Sequence, residues 1–281
     1  MDNAAQAKAA VARVFSMTAN DYDQSGVDFF SLFARRLVGH LRPQAGWHVV
    51  DVGAGRGAVV FPLTEAVRPG GTVTAVDLAE PMVTALRADL AQRGIDGVRL
   101  LVGDVENLDL DPESADAVTA SMVLFFLPDL TAGLGEIHRV LRPGGHLAFT
   151  VFADADPDWS DVYEAFNMFL APEDRLTHSR PVHPGLSDTG RILETVGAAG
   201  FLDVQCFEEV HPIRFTDVDQ WHAWSWSVGL RGTWLTIPED RRSQAREAVL
   251  REVARHAGSD GRITERFAIR IVVGRKGQTA G

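Results

Sequence analysis

The sequence predicts an α/β fold built on a parallel sheet. Three observations lead there. Residues Val49-Val50-Asp51-Val52-Gly53-Ala54-Gly55-Arg56-Gly57-Ala58-Val59-Val60 read as a buried strand, a glycine turn and the start of a helix. After them, short apolar runs alternate with helical patterns of ten or more residues, as right-handed βαβ units require. The runs are apolar almost throughout, as strands covered on both faces should be.

The elements follow in order. Residues 4–16 are Ala-rich, with Val11, Val14 and Phe15 on one helical face. Asn20-Asp21-Tyr22-Asp23 is a polar break. Phe29, Phe30, Phe33, Leu37 and Leu41 then repeat at helical spacing over 27–41, and Arg42-Pro43 stops that helix. Strands are expected at 47–52, 72–77, 98–102, 115–122 and 146–152, and helices at 57–67, 81–93 and 130–141. Arg68-Pro69-Gly70-Gly71 and Arg142-Pro143-Gly144-Gly145 read as matching turns. Beyond 153 the pattern loosens. It gives a short helix near 159–169, a helix over 189–199, a strand at 204–210, a polar helix at 239–256 and a closing strand at 267–273. Four of the six tryptophans (Trp221, Trp224, Trp226 and Trp234) crowd into one stretch. The expected organisation is one domain over 1–281, with a cap from 1–42, 154–188 and 211–262.

Composition narrows the function. With 281 residues and 46% apolar content, the chain can bury a large core. A formal charge of −11 argues against nucleic acid and against anionic lipid as partners. No apolar run reaches the roughly 18 residues of a membrane span, and the N-terminal stretch has no continuous apolar block like that of a signal peptide. Cys206 is the single cysteine, so no internal disulfide can form. A cytoplasmic protein, monomer or homodimer, is the expectation. No His, Cys or acidic cluster has ligand spacing, so no metal is expected.

The glycine turn suits two ligands, a dinucleotide or S-adenosylmethionine. Gly53-x-Gly55-x-x-Ala58 meets only a relaxed dinucleotide fingerprint. Asp51, two residues before the first glycine, would repel a pyrophosphate but suits an ammonium. Some 45 residues precede the strand, whereas dinucleotide domains often open with it. The tips of the next strands carry further polar groups. Asp77 can accept from both ribose hydroxyls. Asp104, after Gly103, can accept from the adenine amino group while the Val105 N–H donates to the ring. Leu78 and Met82 can sandwich the base, and Ser121 and Met122 would face the sulfonium. Ligands of open α/β sheets sit at these carboxyl ends. Asp51, Asp77 and Asp104 are therefore expected to face one common cavity. Arg56 reads as a solvated residue at the helix start.

At this point the chain resembles the class I S-adenosylmethionine-dependent methyltransferases. The resemblance rests on 49–60, Val76-Asp77-Leu78, Gly103-Asp104-Val105 and 134–150, and is closest to the small-molecule branch of ubiquinone/menaquinone-type and natural-product enzymes. It implies a Rossmann-like doubly wound sheet of seven strands in order 3-2-1-4-5-7-6, the last antiparallel. It also implies that Gly53, Ala54 and Gly55 hold the cofactor and that Tyr22 folds over its methionine part. Relatives often carry His before Leu-Pro-Asp after the fourth strand. This chain has Phe125-Phe126-Leu127-Pro128-Asp129, which implies an apolar acceptor site.

The expected reaction is methyl transfer to a small apolar or aromatic metabolite, at O, C or N, in secondary metabolism. In-line displacement needs chiefly positioning and exclusion of water. If the acceptor must lose a proton, His178, His183 and His211 are candidate bases. Trp226 and Trp234 are candidates for lining an aromatic pocket. The Asn/Asp-Pro-Pro-Tyr signature of base-flipping enzymes is missing. The competing readings are a nicotinamide-dependent oxidoreductase and a non-catalytic protein that binds S-adenosylmethionine.

Overall fold

The computed structural model describes residues 3–176 and 183–278. Helices α1 (Asn3–Thr18) and α2 (Phe30–Leu41) come first. Phe33, Ala34, Leu37 and Leu41 form the buried face of α2. Arg42, at φ 52°, ends it in the left-handed conformation and donates its N–H to the Val38 carbonyl.

The alternating part follows as β1 (His48–Val52), α3 (Val60–Ala66), β2 (Thr72–Asp77), α4 (Glu80–Gln92), β3 (Val98–Val102), β4 (Ala115–Ser121), α5 (Leu130–Val140) and β5 (Leu141–Phe152). Then come α6 (Ser160–Asn167), α7 (Thr189–Ala198), β6 (Phe201–Phe215), α8 (Val218–Ser227), α9 (Arg231–Thr236), α10 (Arg242–Arg255) and β7 (Ile263–Lys276). The seven strands form one sheet in the order β3-β2-β1-β4-β5-β7-β6. β1 to β5 run parallel, and β7 lies antiparallel between β5 and β6. The expected order and the reversed last strand are both found.

The sheet is covered on both faces because successive β1 residues point opposite ways. Val49 packs with Leu37 of α2 and Leu63 of α3. Val50 and Val52 belong to the apolar core on the other face, which also holds Leu134 and Ile137 of α5 and Ile192 of α7. β1 and β4 are buried almost throughout, Asp51, Asp116 and Thr119 included, as strands covered on both faces are.

Three details differ from expectation. Residues 142–145 are a bulge inside β5, not a turn before it. The pairing jumps from Ala115–Leu141 to Ala117–His146, and Gly144 takes φ 78°. A Cβ on Gly145 would lie 2.9 Å from the Arg142 carbonyl oxygen and 3.1 Å from that of Asp116, so only glycine fits the strand there. The helix starting the glycine turn is shorter than expected, since residues 57–59 still belong to the turn. Strands β6 and β7 are also much longer. Residues 211–215 pair with 263–267, beyond the last β5 partner, as a two-stranded arm.

That arm carries α8, α9 and α10. With α6 they extend the apolar core that α2 and α3 form on one face of the sheet. Trp159 and Trp221 stack at 6.0 Å, and Phe166 meets Trp234 edge-on at 4.6 Å. The indole N–H of Trp221 donates to Glu265 and that of Trp234 to Ser225 Oγ, so both buried donors are satisfied.

Candidate active site

The glycine turn joins β1 to α3 at the carboxyl edge of the sheet. Gly53, Gly55 and Gly57 all take positive φ, from 53° to 89°. Their reasons differ. A Cβ on Gly53 would sit 2.2 Å from Val123, so that glycine serves packing. A Cβ on Gly55 would meet nothing nearer than the Tyr22 ring at 3.9 Å. Its backbone is bare because it faces open space.

Two neighbouring cavities lie over this turn. The first, about 100 Å³, holds Asp77, Leu78, Met82, Asp104 and Val105, with Lys8 and Phe15 from α1. The second, about 410 Å³, holds Asp51, Ala54, Asp23, Phe30 and Arg56. Tyr22, Gly53, Gly55 and Ser121 line both. The expectation of one common cavity is thus corrected. Asp77 and Asp104 share one space, and Asp51 faces the space next to it. Tyr22 stands at the junction, stacked on Phe30 at 5.1 Å and edge-on to Phe15 at 5.9 Å. Burial, with the nearby Asp23 and Asp77 charges, holds its phenol protonated.

The three carboxylates are held differently. Asp51 is 2% exposed and accepts from Thr119 Oγ1 at 2.6 Å. Burial pushes its acid up to about 7; the Thr119 bond opposes this and the Asp77 charge adds to it. No Lys or Arg among the described residues pairs with it. Asp77 accepts the Gly55 N–H and the Ala79 N–H, both at 2.8 Å. Burial raises it and these two amides pull it back. The bonds brace the glycine turn against β2 and leave each oxygen a second lone pair for a ligand. Asp104 accepts the Glu106 N–H at 2.9 Å through Oδ1, and Lys8 Nζ lies 2.7 Å from Oδ2.

Other expected residues fall at or near the cavities. Leu78, Met82, Val105 and Ser121 are in the walls. Gly103 stands just behind, its N–H on the Asp77 carbonyl and its Cα side against Val76. Phe126 closes one end with Phe15, at 5.4 Å, while Phe125 lies behind it against Phe152. Lys8, Phe15, Asp23 and Phe30 were not singled out from sequence. They come from helices and a loop distant in the chain, and only the packing of α1 and α2 brings them here.

Several candidates are placed elsewhere. Trp234 is 1% exposed on α9, and Trp226 stacks on it at 5.8 Å while donating to His222. Neither lines either of the two cavities over the glycine turn; both pack among α6, α8 and α9 instead. His211 sits on β6 beside Glu209, which also binds Arg36 and His40 of α2. That cluster ties α2 to the sheet and draws the Glu209 acid down to about 2, chiefly through Arg36. His183 accepts the Gly185 N–H and caps a short turn. His178 lies outside the described residues. Arg56 is not a solvated residue. It forks onto Asp89 at 2.7 and 2.9 Å and donates to the Ala19 and Asn20 carbonyls, pinning the α1–α2 loop to the turn. Among the described residues no group of three His, Cys, Asp or Glu could hold a metal, and no helix is long and apolar enough to cross a membrane.

The donor set fits a nucleoside with a cationic end. It offers a carboxylate for a sugar, a carboxylate and amide for a base, a bare glycine backbone and a buried acid lacking a cation. The first cavity alone is smaller than the roughly 300–1,000 Å³ of a typical ligand pocket, and only with the second is that range reached.

Comparisons with known proteins agree. Residues 50–149 match the methyltransferase domain family. The chain is 37% identical to nocamycin O-methyltransferase of Saccharothrix syringae, over 93% of this chain and 97% of the relative. It is 37% identical to aklanonic acid methyltransferase DauC of a Streptomyces species, over 59% of this chain and 72% of the relative. In fold it is similar to the crystal structure of a putative methyltransferase from Bacillus halodurans, with TM-score 0.56, 21% identity, and coverage of 87% of this chain and 99% of that one. The chain belongs to the class I S-adenosylmethionine-dependent methyltransferases.

Proposed function

We propose that the acceptor is a small, largely apolar natural product and that the methylated atom is an oxygen. The names of the relatives, nocamycin O-methyltransferase and aklanonic acid methyltransferase, support this reading. The observation that carries it is the wall of the first cavity beyond Ser121, which is Met122, Val123, Phe126, Leu127 and Phe15. Such a wall favours an apolar body and excludes water from a charge-consuming displacement.

The cofactor supplies a methyl group already activated on a sulfonium. The chain's residues would do the rest. Asp77 would accept from the ribose hydroxyls. Asp104 and the Val105 N–H would read adenine between Leu78 and Met82. Asp51 would hold the ammonium, with Tyr22 over that end. Gly53, Ala54 and Gly55 would let the ligand approach the backbone.

Among the described residues, neither cavity is lined by a histidine. The reading therefore favours an acceptor oxygen that ionises readily without a base, such as a carboxylic acid, an enol or an acidic phenol. The test is turnover with cofactor carrying a 13C-labelled methyl group, against a panel of such acceptors and matched amines. The expected product bears the label on oxygen, read by 13C NMR. Label on carbon or nitrogen, or turnover with polar amines only, would overturn the proposal.

A further inference from the structure

The second cavity contains a buried acid with no assigned role. Asp23 lies in the loop between α1 and α2, and lines the same 410 Å³ space as Asp51. Its backbone takes φ 55°, a left-handed conformation that a non-glycine residue adopts only where surrounding structure imposes it. What imposes it here is the hydrogen bond from the Asp23 N–H to the Ser227 carbonyl at the end of α8, together with the Arg56 clamp on Ala19 and Asn20. The loop is thus fixed from two sides, and Asp23 is held at the cavity.

Its carboxyl is poorly provided for. Oδ1 is buried without a hydrogen-bond partner. Such a group costs free energy unless something binds it. Burial pushes its acid up to about 7; Asp28 adds repulsion and Arg56 opposes it. The cations around the cavity are already engaged. Arg56 forks onto Asp89, Arg35 pairs with Asp28 at 2.5 Å, and Arg93 lies over the Phe61 ring at 3.9 Å. Two desolvated carboxyls therefore line one space, Asp51 from the sheet and Asp23 from the loop above.

We propose that Asp23 is a second anchor for the ammonium end of S-adenosylmethionine, supplied by the α1–α2 loop to the space that Asp51 also lines. This rests on the cofactor reading above. The pinned loop would then carry part of the binding site.

The test is Asp23→Asn, which keeps shape and removes charge. Three ligands are titrated calorimetrically: S-adenosylmethionine, S-adenosylhomocysteine and 5′-methylthioadenosine. The last has base and sugar but no amino-acid end. The variant is expected to bind the first two about ten-fold more weakly, equivalent to about 1.4 kcal/mol, and the third as wild type does. Asp23→Glu, which restores the charge, should recover part of the loss. Unchanged affinity for the first two ligands would overturn the proposal. So would an equal loss for all three, which would mark a structural role. Failure of the wild-type chain to bind S-adenosylmethionine would instead sink the cofactor reading itself.

Discussion

Asp51 is costly to the unliganded fold, and the cost can be measured. Its acid has moved from an ordinary 3.8 to about 7 because folding strips its water and offers no cation. A raised acid favours the protonated folded state. The penalty is therefore absent below the ordinary value, grows as pH rises, and is complete above the folded value. Above pH 7 the displacement corresponds to about 4 kcal/mol, and at pH 5 to about 2 kcal/mol or less. Asp51→Asn removes the charge and keeps an oxygen to accept from Thr119 Oγ1, the one bond that Asp51 makes there. The variant should be more stable than wild type at pH 8. At about 2–4 °C per kcal/mol for a chain of this size, the melting temperature should rise by roughly 8 °C or more. The gain should fall to less than half at pH 5. The same variant should bind S-adenosylmethionine at least about ten-fold more weakly, since a charge-assisted pair is lost. Differential scanning fluorimetry without ligand, at the two pH values, makes the measurement. No gain at pH 8, or the same gain at both, would refute the reasoning.

Other perturbations separate binding from folding. Asp77→Ala removes the brace on the Gly55 and Ala79 amides and the group assigned to ribose, so S-adenosylmethionine affinity by calorimetry should drop about 100-fold or more. Lys8→Ala breaks the contacts to Asp104 and Glu106 that hold α1 over the first cavity. A pair of this exposure contributes about 1 kcal/mol at most, so stopped-flow association of the cofactor should speed up by no more than about five-fold. Trp234→Ala should destabilise the chain by about 3–5 kcal/mol, because its buried ring packs on Phe166, yet leave cofactor affinity within about two-fold when measured at low temperature.

The part of the chain governed by local pattern was legible in the sequence. The strands at 72–77 and 98–102 lie where their apolar runs put them, and the strand order follows the resemblance. Long-range packing was not legible. The arm formed by 211–215 and 263–267 alternates buried and exposed residues, but Pro212 reads as a strand breaker and Glu265 puts an acid at a buried position, and these hide it. The bulge at 142–145 uses the same residues as a turn, and only pairing on both sides distinguishes them. In the site, the strand-tip carboxylates were visible because their positions follow from the strands. Lys8 and Asp23 were not, because what places them is the docking of α1 and its following loop, more than thirty residues from the nearest strand-tip acid except Asp51. The tryptophans misled for a related reason: aromatic clustering marks a core as readily as a pocket, and here Glu265 and Ser225 satisfy the buried indoles of Trp221 and Trp234.

A crystal structure with S-adenosylhomocysteine tests the central claim most directly. The account predicts ribose hydroxyls on Asp77, the adenine edge on Asp104 and Val105, and the ammonium in the neighbouring space beside Asp51, with the chain of the ligand passing over Gly53 and Gly55. A ligand confined to one cavity, or one whose sugar makes no contact with Asp77, would contradict it.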